Sequence, residues 1–98
     1  MPAYLETLGE GKFIVRGELD FGTVEALWQQ ANGQFQAYPS VRIDLSAVDR
    51  ADSAGVALLV EWLREAKARG QSLQFVNTPA QMLAIFRVTD LEDLLPLT

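Results

Sequence analysis

Short β-type runs of apolar and polar positions at 5–8 and 12–17 flank Gly9-Glu10-Gly11, which predicts a β-hairpin with a three-residue loop. Gly17-Glu18-Leu19-Asp20 closes the second run. Asp20 stands where its carboxylate can accept the unpaired first-turn amides of a following helix. Phe21, Val24, Leu27, Trp28 and Ala31 then recur at helical spacing, with Phe35 extending the stripe. Asn32-Gly33 loosens that helix and Tyr38-Pro39 ends it.

Val41, Ile43 and Leu45 alternate with Arg42 and Asp44, predicting a strand of about five residues. The polar stretch 46–52 reads as a loop. The longest apolar periodicity lies in 53–69. It predicts a helix closed by Gly70, with Lys67 and Arg69 in the last turn. Residues 73–76 form another short strand. Thr78-Pro79-Ala80-Gln81 supplies a cap, a Pro at the first helical position and a capping-box Gln for a helix running to about Val88. Residues 90–95 are expected to add a last turn or two before Pro96.

The predicted order is β-β-α-β-α-β-α with short connections, hence an α/β fold with a mixed β-sheet. The half-polar third strand implies helices packed mainly on one face. With 98 residues, a single domain over 1–98 is expected. Apolar residues at 49% against 21% charged argue for a packed core rather than disorder.

The absent residue types narrow the chemistry. There is no Cys and no His, which excludes disulfides, thiolate catalysis and any Ser-His or Cys-His pair. Thirteen acidic against eight basic residues give a net charge of −5, which opposes nucleic acid as a partner. No apolar run reaches the length of a membrane span, so no direct membrane insertion is expected. The start, Met1-Pro2-Ala3-Tyr4-Leu5-Glu6, lacks the basic and apolar segments of a signal peptide, so an intracellular, soluble protein is expected.

Asp20, Asp44, Asp49 and Asp52 cluster near strand ends, where Mg²⁺ would take one or two carboxylates together with a substrate phosphate. Neither G-x-x-x-x-G-K-[ST] nor G-x-G-x-x-G is present to cradle that phosphate. Asp20 and Asp52 therefore read first as caps or turn residues. Paired-carboxylate hydrolysis needs a cleft that so short a chain has little room to build. No metal, no cofactor and no catalytic residue are expected. Ser53 opens the long helix with no base to activate it, and as a cap it or Asp52 would satisfy first-turn amides. A phosphate on Ser53 would sit against the positive end of the helix dipole.

Projected at about 100° per residue, the long helix turns Val56, Leu59, Leu63 and Ala66 to the core, with Val60 and Trp62 at the margins. Ser53, Ala54, Ala57, Glu61, Arg64 and Glu65 fall opposite, with Leu58 beside them. A solvated face would more often carry Lys, Glu or Arg in its first two turns. Small residues, Leu58 and a hydroxyl there favour a docking surface over simple helix propensity.

Gly17-Glu18-Leu19-Asp20, Ile43-Asp44-Leu45-Ser46 and Asp52-Ser53-Ala54-Gly55, in this order and spacing, resemble the STAS domain family, the sulfate-transporter and anti-sigma-factor-antagonist fold. The resemblance implies that Ser53 matches a Ser or Thr that a partner kinase can phosphorylate, with Asp20 and Asp52 matching acidic residues near it. Ala57-Leu58-Leu59 and the ending Leu94-Leu95-Pro96 are similar to a subgroup of small cytoplasmic subunits of bacterial phospholipid ABC transporters. That resemblance implies a non-enzymatic accessory subunit supporting intermembrane lipid transport and outer-membrane lipid asymmetry. Its partner would be the transporter's ATPase subunit, and through it the permease complex at the inner membrane. Ser53, Ala54, Ala57, Leu58 and Glu61 would form the contact. The alternative is an anti-sigma-factor antagonist switched by phosphorylation of Ser53, partnered by a serine kinase that acts as anti-sigma factor. Antagonists more often carry a second Gly where Ala57 stands.

Overall fold

The computed structural model describes residues 3–88. Four strands form one sheet in the order β1-β2-β3-β4: β1 (Tyr4–Gly9), β2 (Lys12–Leu19), β3 (Ser40–Ala51) and β4 (Ser72–Val76). β1 and β2 are antiparallel, whereas β2, β3 and β4 run parallel. Helix α1 (Val24–Ala31) and a 3-10 turn (Phe35–Ala37) connect β2 to β3, and α2 (Ser53–Ala68) connects β3 to β4. Helix α3 (Ala80–Val88) follows β4. Both crossovers step the same way along the sheet, so right-handed connections place α1 and α2 on one face. The expected mixed sheet and order of elements are present. The turn or two expected at 90–95, and Leu94-Leu95-Pro96, lie outside the described residues.

The period-2 pattern sets the covered face. Phe13, Ile43 and Phe75 lie side by side across three strands, each almost wholly buried, and Leu5 pairs with Val15 on the same face. Leu59 is fully buried beneath them from α2, and Leu27 from α1. Edge-to-face ring contacts continue the core outward, Phe13 to Phe35 at 4.9 Å and Phe35 to Trp62 at 5.3 Å. The opposite sheet face carries Glu6, Arg16, Arg42 and Asp44, none of them buried. Ile14, beside Glu6 and Asp44 on that face, is buried at 9% exposure.

Four expectations about the elements change on contact with the structure. The hairpin loop has two residues, not three: Gly9 pairs with Lys12, and Glu10 and Gly11 turn the chain at φ 56° and 81°. Positive φ at both positions is the geometry that matches strand twist in a tight hairpin.

β3 is twelve residues long, and the supposed loop 46–52 is mostly strand. Register shifts opposite Ile14/Arg16 and Gly17/Glu18 break the alternation, so the buried positions become Leu45, Val48 and Ala51. Ser46, Asp49 and Arg50 point to solvent while their backbone remains in or beside the ladder.

Helix α1 begins at Val24, and Phe21 lies outside it, 84% exposed. Gln81 does not close a capping box. Its Oε1 instead accepts from the Ala51 backbone N–H at 2.9 Å, where β3 extends past the end of β4.

The end of α2 follows expectation. Gln71 N–H donates to the Ala66 carbonyl at 2.8 Å and Gly70 N–H to the Lys67 carbonyl at 3.1 Å, with Gly70 at φ 69°. This pair of bonds is the Schellman closure. The Gln71 amide then reaches the carbonyls of Phe35 and Tyr38, bracing the segment before β3.

Candidate functional site

The site grows from the junction where β2 and β3 end and α2 begins. Asp52 N–H donates to the Leu19 carbonyl at 3.1 Å, which ties the helix entry to β2. Asp52 is extended at φ −114°, and its carboxylate accepts from the Ala54 N–H at 2.8 Å. Asp52 is therefore the cap of α2. Ser53 is the first helical residue, exposed, and its hydroxyl makes no hydrogen bond among the described residues. A free hydroxyl at the positive end of a sixteen-residue helix is accessible to a partner or to a modifying enzyme.

Gly55 explains how α2 approaches so closely. A Cβ on Gly55 would lie 2.8 Å from the Leu19 Cβ and 3.4 Å from the Ala51 Cβ. Any side chain there would push the helix tip off the sheet. Asp52-Ser53-Ala54-Gly55 thus combines a cap, an exposed hydroxyl and a glycine that lets helix and strand touch.

Asp20 lies nearby but does not cap α1 in the expected way. Its carboxylate accepts from the Gly22 N–H at 2.8 Å, forming a turn, and its carbonyl accepts from Thr23 and Val24. Thr23 precedes the helix and donates its hydroxyl to the Glu18 carbonyl at 2.6 Å. A small cleft of about 200 Å³ opens at this strand end, with Glu18, Asp20, Arg50 and Asp52 on its walls. Among the described residues, no group of three or more acidic side chains is placed to hold a metal ion. Asp44 and Asp49 do not line the cleft. Asp44 lies toward the other end of β3, where its carboxylate accepts from Ser46 N–H at 2.8 Å and from the Asn77 amide at 3.2 Å. Burial pushes the Asp44 carboxyl up. The Ser46 and Asn77 hydrogen bonds and the charge of Arg16 outweigh that and hold it below its ordinary value.

Beside Ser53, the outer side of α2 meets α1 across an open apolar groove of about 340 Å³. On the α2 side Ala57 forms the wall, with Ala54 and Leu58 at its base. Phe21, Val24 and Trp28 form the other. Glu25 and Glu61 are the charged residues at its rim. Ala54 and Leu58 are 6% and 5% exposed, so they are floor residues and not part of a solvated outer face as the helical projection expected. The projection treated α2 as having a single neighbour. In fact the helix lies between the sheet, α1 and α3, so its buried arc is wider. Ala57 is exposed and Glu61 half-exposed, as a contact surface requires.

The α1 wall was not visible in the sequence. Val24 and Trp28 share the apolar stripe with Leu27 and Ala31, yet only the latter two are buried. Trp28 Nε1 donates to Glu65 Oε2 at 3.1 Å, which fixes α1 against α2 and sets the width of the groove. The available signal was a helix with too many apolar positions for one face.

The mixed sheet in simple strand order, with α1 and α2 on one face, is an α/β fold shared with solved anti-sigma factor antagonists. The chain superposes on an anti-sigma factor antagonist from Mycobacterium paratuberculosis with a TM-score of 0.73 and 26% identity, covering 95% of this chain and 80% of that one. It matches the anti-sigma factor antagonist SpoIIAA in its unphosphorylated form with a TM-score of 0.71, covering 96% and 85%; at 23% identity that likeness speaks for the fold alone. The sequence narrows the class further. Residues 6–96 match the family described as Mlab, STAS domain, and the chain belongs to that family. It is 33% identical over 82 residues to the intermembrane phospholipid transport system binding protein MlaB of Haemophilus influenzae, covering 79% of this chain and 77% of that protein.

Proposed function

We propose that this protein, as a single STAS domain over residues 1–98, is a non-enzymatic accessory subunit of a phospholipid ABC transporter. It docks on the cytoplasmic ATPase subunit, the MlaF-type partner, and stabilises or regulates it. Through that subunit it joins the permease complex at the inner membrane, supporting intermembrane lipid transport and outer-membrane lipid asymmetry. Among the described residues no helix is long and apolar enough to cross a membrane, so in this reading the membrane association is peripheral. The 33% identity to MlaB supports the transport role. The observation that carries the docking is the apolar groove beside the exposed Ser53, at the tip of α2. In this reading Ser53, Ala54, Ala57, Leu58 and Glu61 supply the contact, while Asp52 holds the tip in place and Asp20 shapes the turn next to it.

Isothermal titration of the full chain against the ATPase subunit tests the reading. The wild type binds, while folded Ser53→Glu and folded Ala57→Arg bind at least a hundredfold more weakly, because a charge must be desolvated or a bulky side chain excluded. Wild-type affinity in both variants would place the docking surface elsewhere. Absence of any binding would remove the transporter reading itself.

A second reading is favoured by the unbonded Ser53 hydroxyl and the fold shared with SpoIIAA: an anti-sigma-factor antagonist switched by phosphorylation of Ser53 and partnered by a serine kinase. Neighbouring genes separate the two. Permease and ATPase genes support the first, and a serine kinase beside a sigma factor supports the second.

A further inference from the structure

The groove has a second wall that no sequence motif assigns, and its chemistry says what it accepts. Phe21 is 84% exposed at the groove edge, a large apolar side chain that no described residue covers. Val24 and Trp28 continue the same wall one and two turns along α1. The two charged residues at the rim, Glu25 and Glu61, are both acidic, and no Lys or Arg lines the groove. Arg64 pairs with Glu61 at 3.1 Å on the exposed surface, while Glu25 makes no ion pair among the described residues.

We infer that the α1–α2 groove receives a basic amphipathic helix of the partner. Such a helix would lay apolar side chains between Phe21, Trp28 and Leu58, with a Lys or Arg on its flank facing Glu25 and another competing with Arg64 for Glu61. A trough between two helices, with an apolar floor and wall, is the form that accepts helical anchors spaced three or four residues apart. Acidic rims around an apolar centre select a cationic segment by complementarity and reject acidic ones, and the chain's net charge of −5 adds to the same field. Phe21, Glu25 and Trp28 thereby become binding residues. This inference rests on the docking proposed above but fails separately from it.

The test measures affinity of the full chain for the ATPase subunit between about 50 and 500 mM NaCl, where exposed charge pairs become screened. Wild-type affinity is expected to fall about tenfold or more across that range. Glu25→Gln with Glu61→Gln should weaken binding at low salt and flatten the salt dependence, while Phe21→Ala should weaken binding at every salt concentration. Circular dichroism checks that each variant folds. ATPase binding that ignores salt, both Gln substitutions and Phe21→Ala would overturn this inference and leave the ATPase partnership intact. If the ATPase subunit does not bind at all, two synthetic helical peptides decide, both with Leu at positions one, four, five and eight, one Arg-flanked and the other Glu-flanked. Preferential binding of the Arg peptide, lost in the Gln double variant, supports the inference; equal binding, or none by either, overturns it.

Discussion

Gly55→Ala sets two magnitudes against each other at one atom. Ala is the best helix former, and replacing Gly within a helix by Ala ordinarily gains about 0.8–1.0 kcal/mol. Here the added methyl would sit 2.8 Å from the Leu19 Cβ, with the Ala51 Cβ at 3.4 Å. Leu19 is 1% exposed and its Cβ is fixed by the strand backbone, so no rotamer change relieves the contact. Overpacking of this kind costs about 1–3 kcal/mol. The difference is a net loss of roughly 1 kcal/mol, or about 4–8 °C in melting temperature for a domain of this size. The displacement falls on the helix tip, so partner affinity should drop along with stability. Thermal unfolding followed by circular dichroism gives the first quantity and titration against the ATPase subunit the second. A Gly55→Ala variant that melts several degrees above wild type would show that propensity wins, and that α2 does not depend on this close approach.

Leu59→Ala empties a fully buried site beneath the sheet and should cost about 2–5 kcal/mol in urea unfolding. Asp52→Ala removes the carboxylate that accepts from Ala54 N–H and should cost about 1 kcal/mol, whereas Ser53→Ala, with no hydrogen bond to lose, should change stability by less than about 0.5 kcal/mol. The reverse order would make Ser53 the cap. Asp44 titrates below its ordinary value in the folded protein, so its contribution to stability is complete above the unfolded pKa and is lost as pH falls through the folded one. Asn77→Gly keeps the positive φ of 58° at that position, removes the amide donor, and should raise the Asp44 pKa in a carbon-detected NMR titration.

Where one element buries one face, the residues alone predicted the structure. Val41, Ile43 and Leu45 placed a strand, the stripe Val56, Leu59, Leu63 and Ala66 placed the core side of α2, and Gly70 placed its end. The pattern failed where a residue has two neighbours or where the ladder shifts. Ala54 and Leu58 looked exposed because a helical projection has no knowledge of α1. Val48 and Ala51 looked like loop residues because two register shifts replace a period of two with a period of three. Phe21 shares the helical spacing of Val24 and Leu27, yet it lies outside α1 because Thr23, not Asp20, precedes the first turn. The candidate site was half legible. Ala57 and Glu61 line the groove and Ser53 precedes Ala54 at the helix start, but the α1 wall showed in the sequence only as a surplus of apolar positions, because which of them are buried is set by tertiary packing.

The strand order 1-2-3-4 matters during synthesis as well as in the finished protein. Among the described residues every strand pairs only with its neighbours in the chain, so each strand after β1 leaves the ribosome to find its neighbour already made. None has to wait for a later segment to be inserted between strands. The open edge of the growing sheet passes from β2 to β3 to β4, and each new strand covers the edge left by the last. β3 overruns β4, so its last residues would remain an uncovered edge. The Gln81 side chain takes the Ala51 N–H there, doing for one backbone group what a longer β4 would have done. A chain released before Gln81 would leave that one amide open to pairing with another chain.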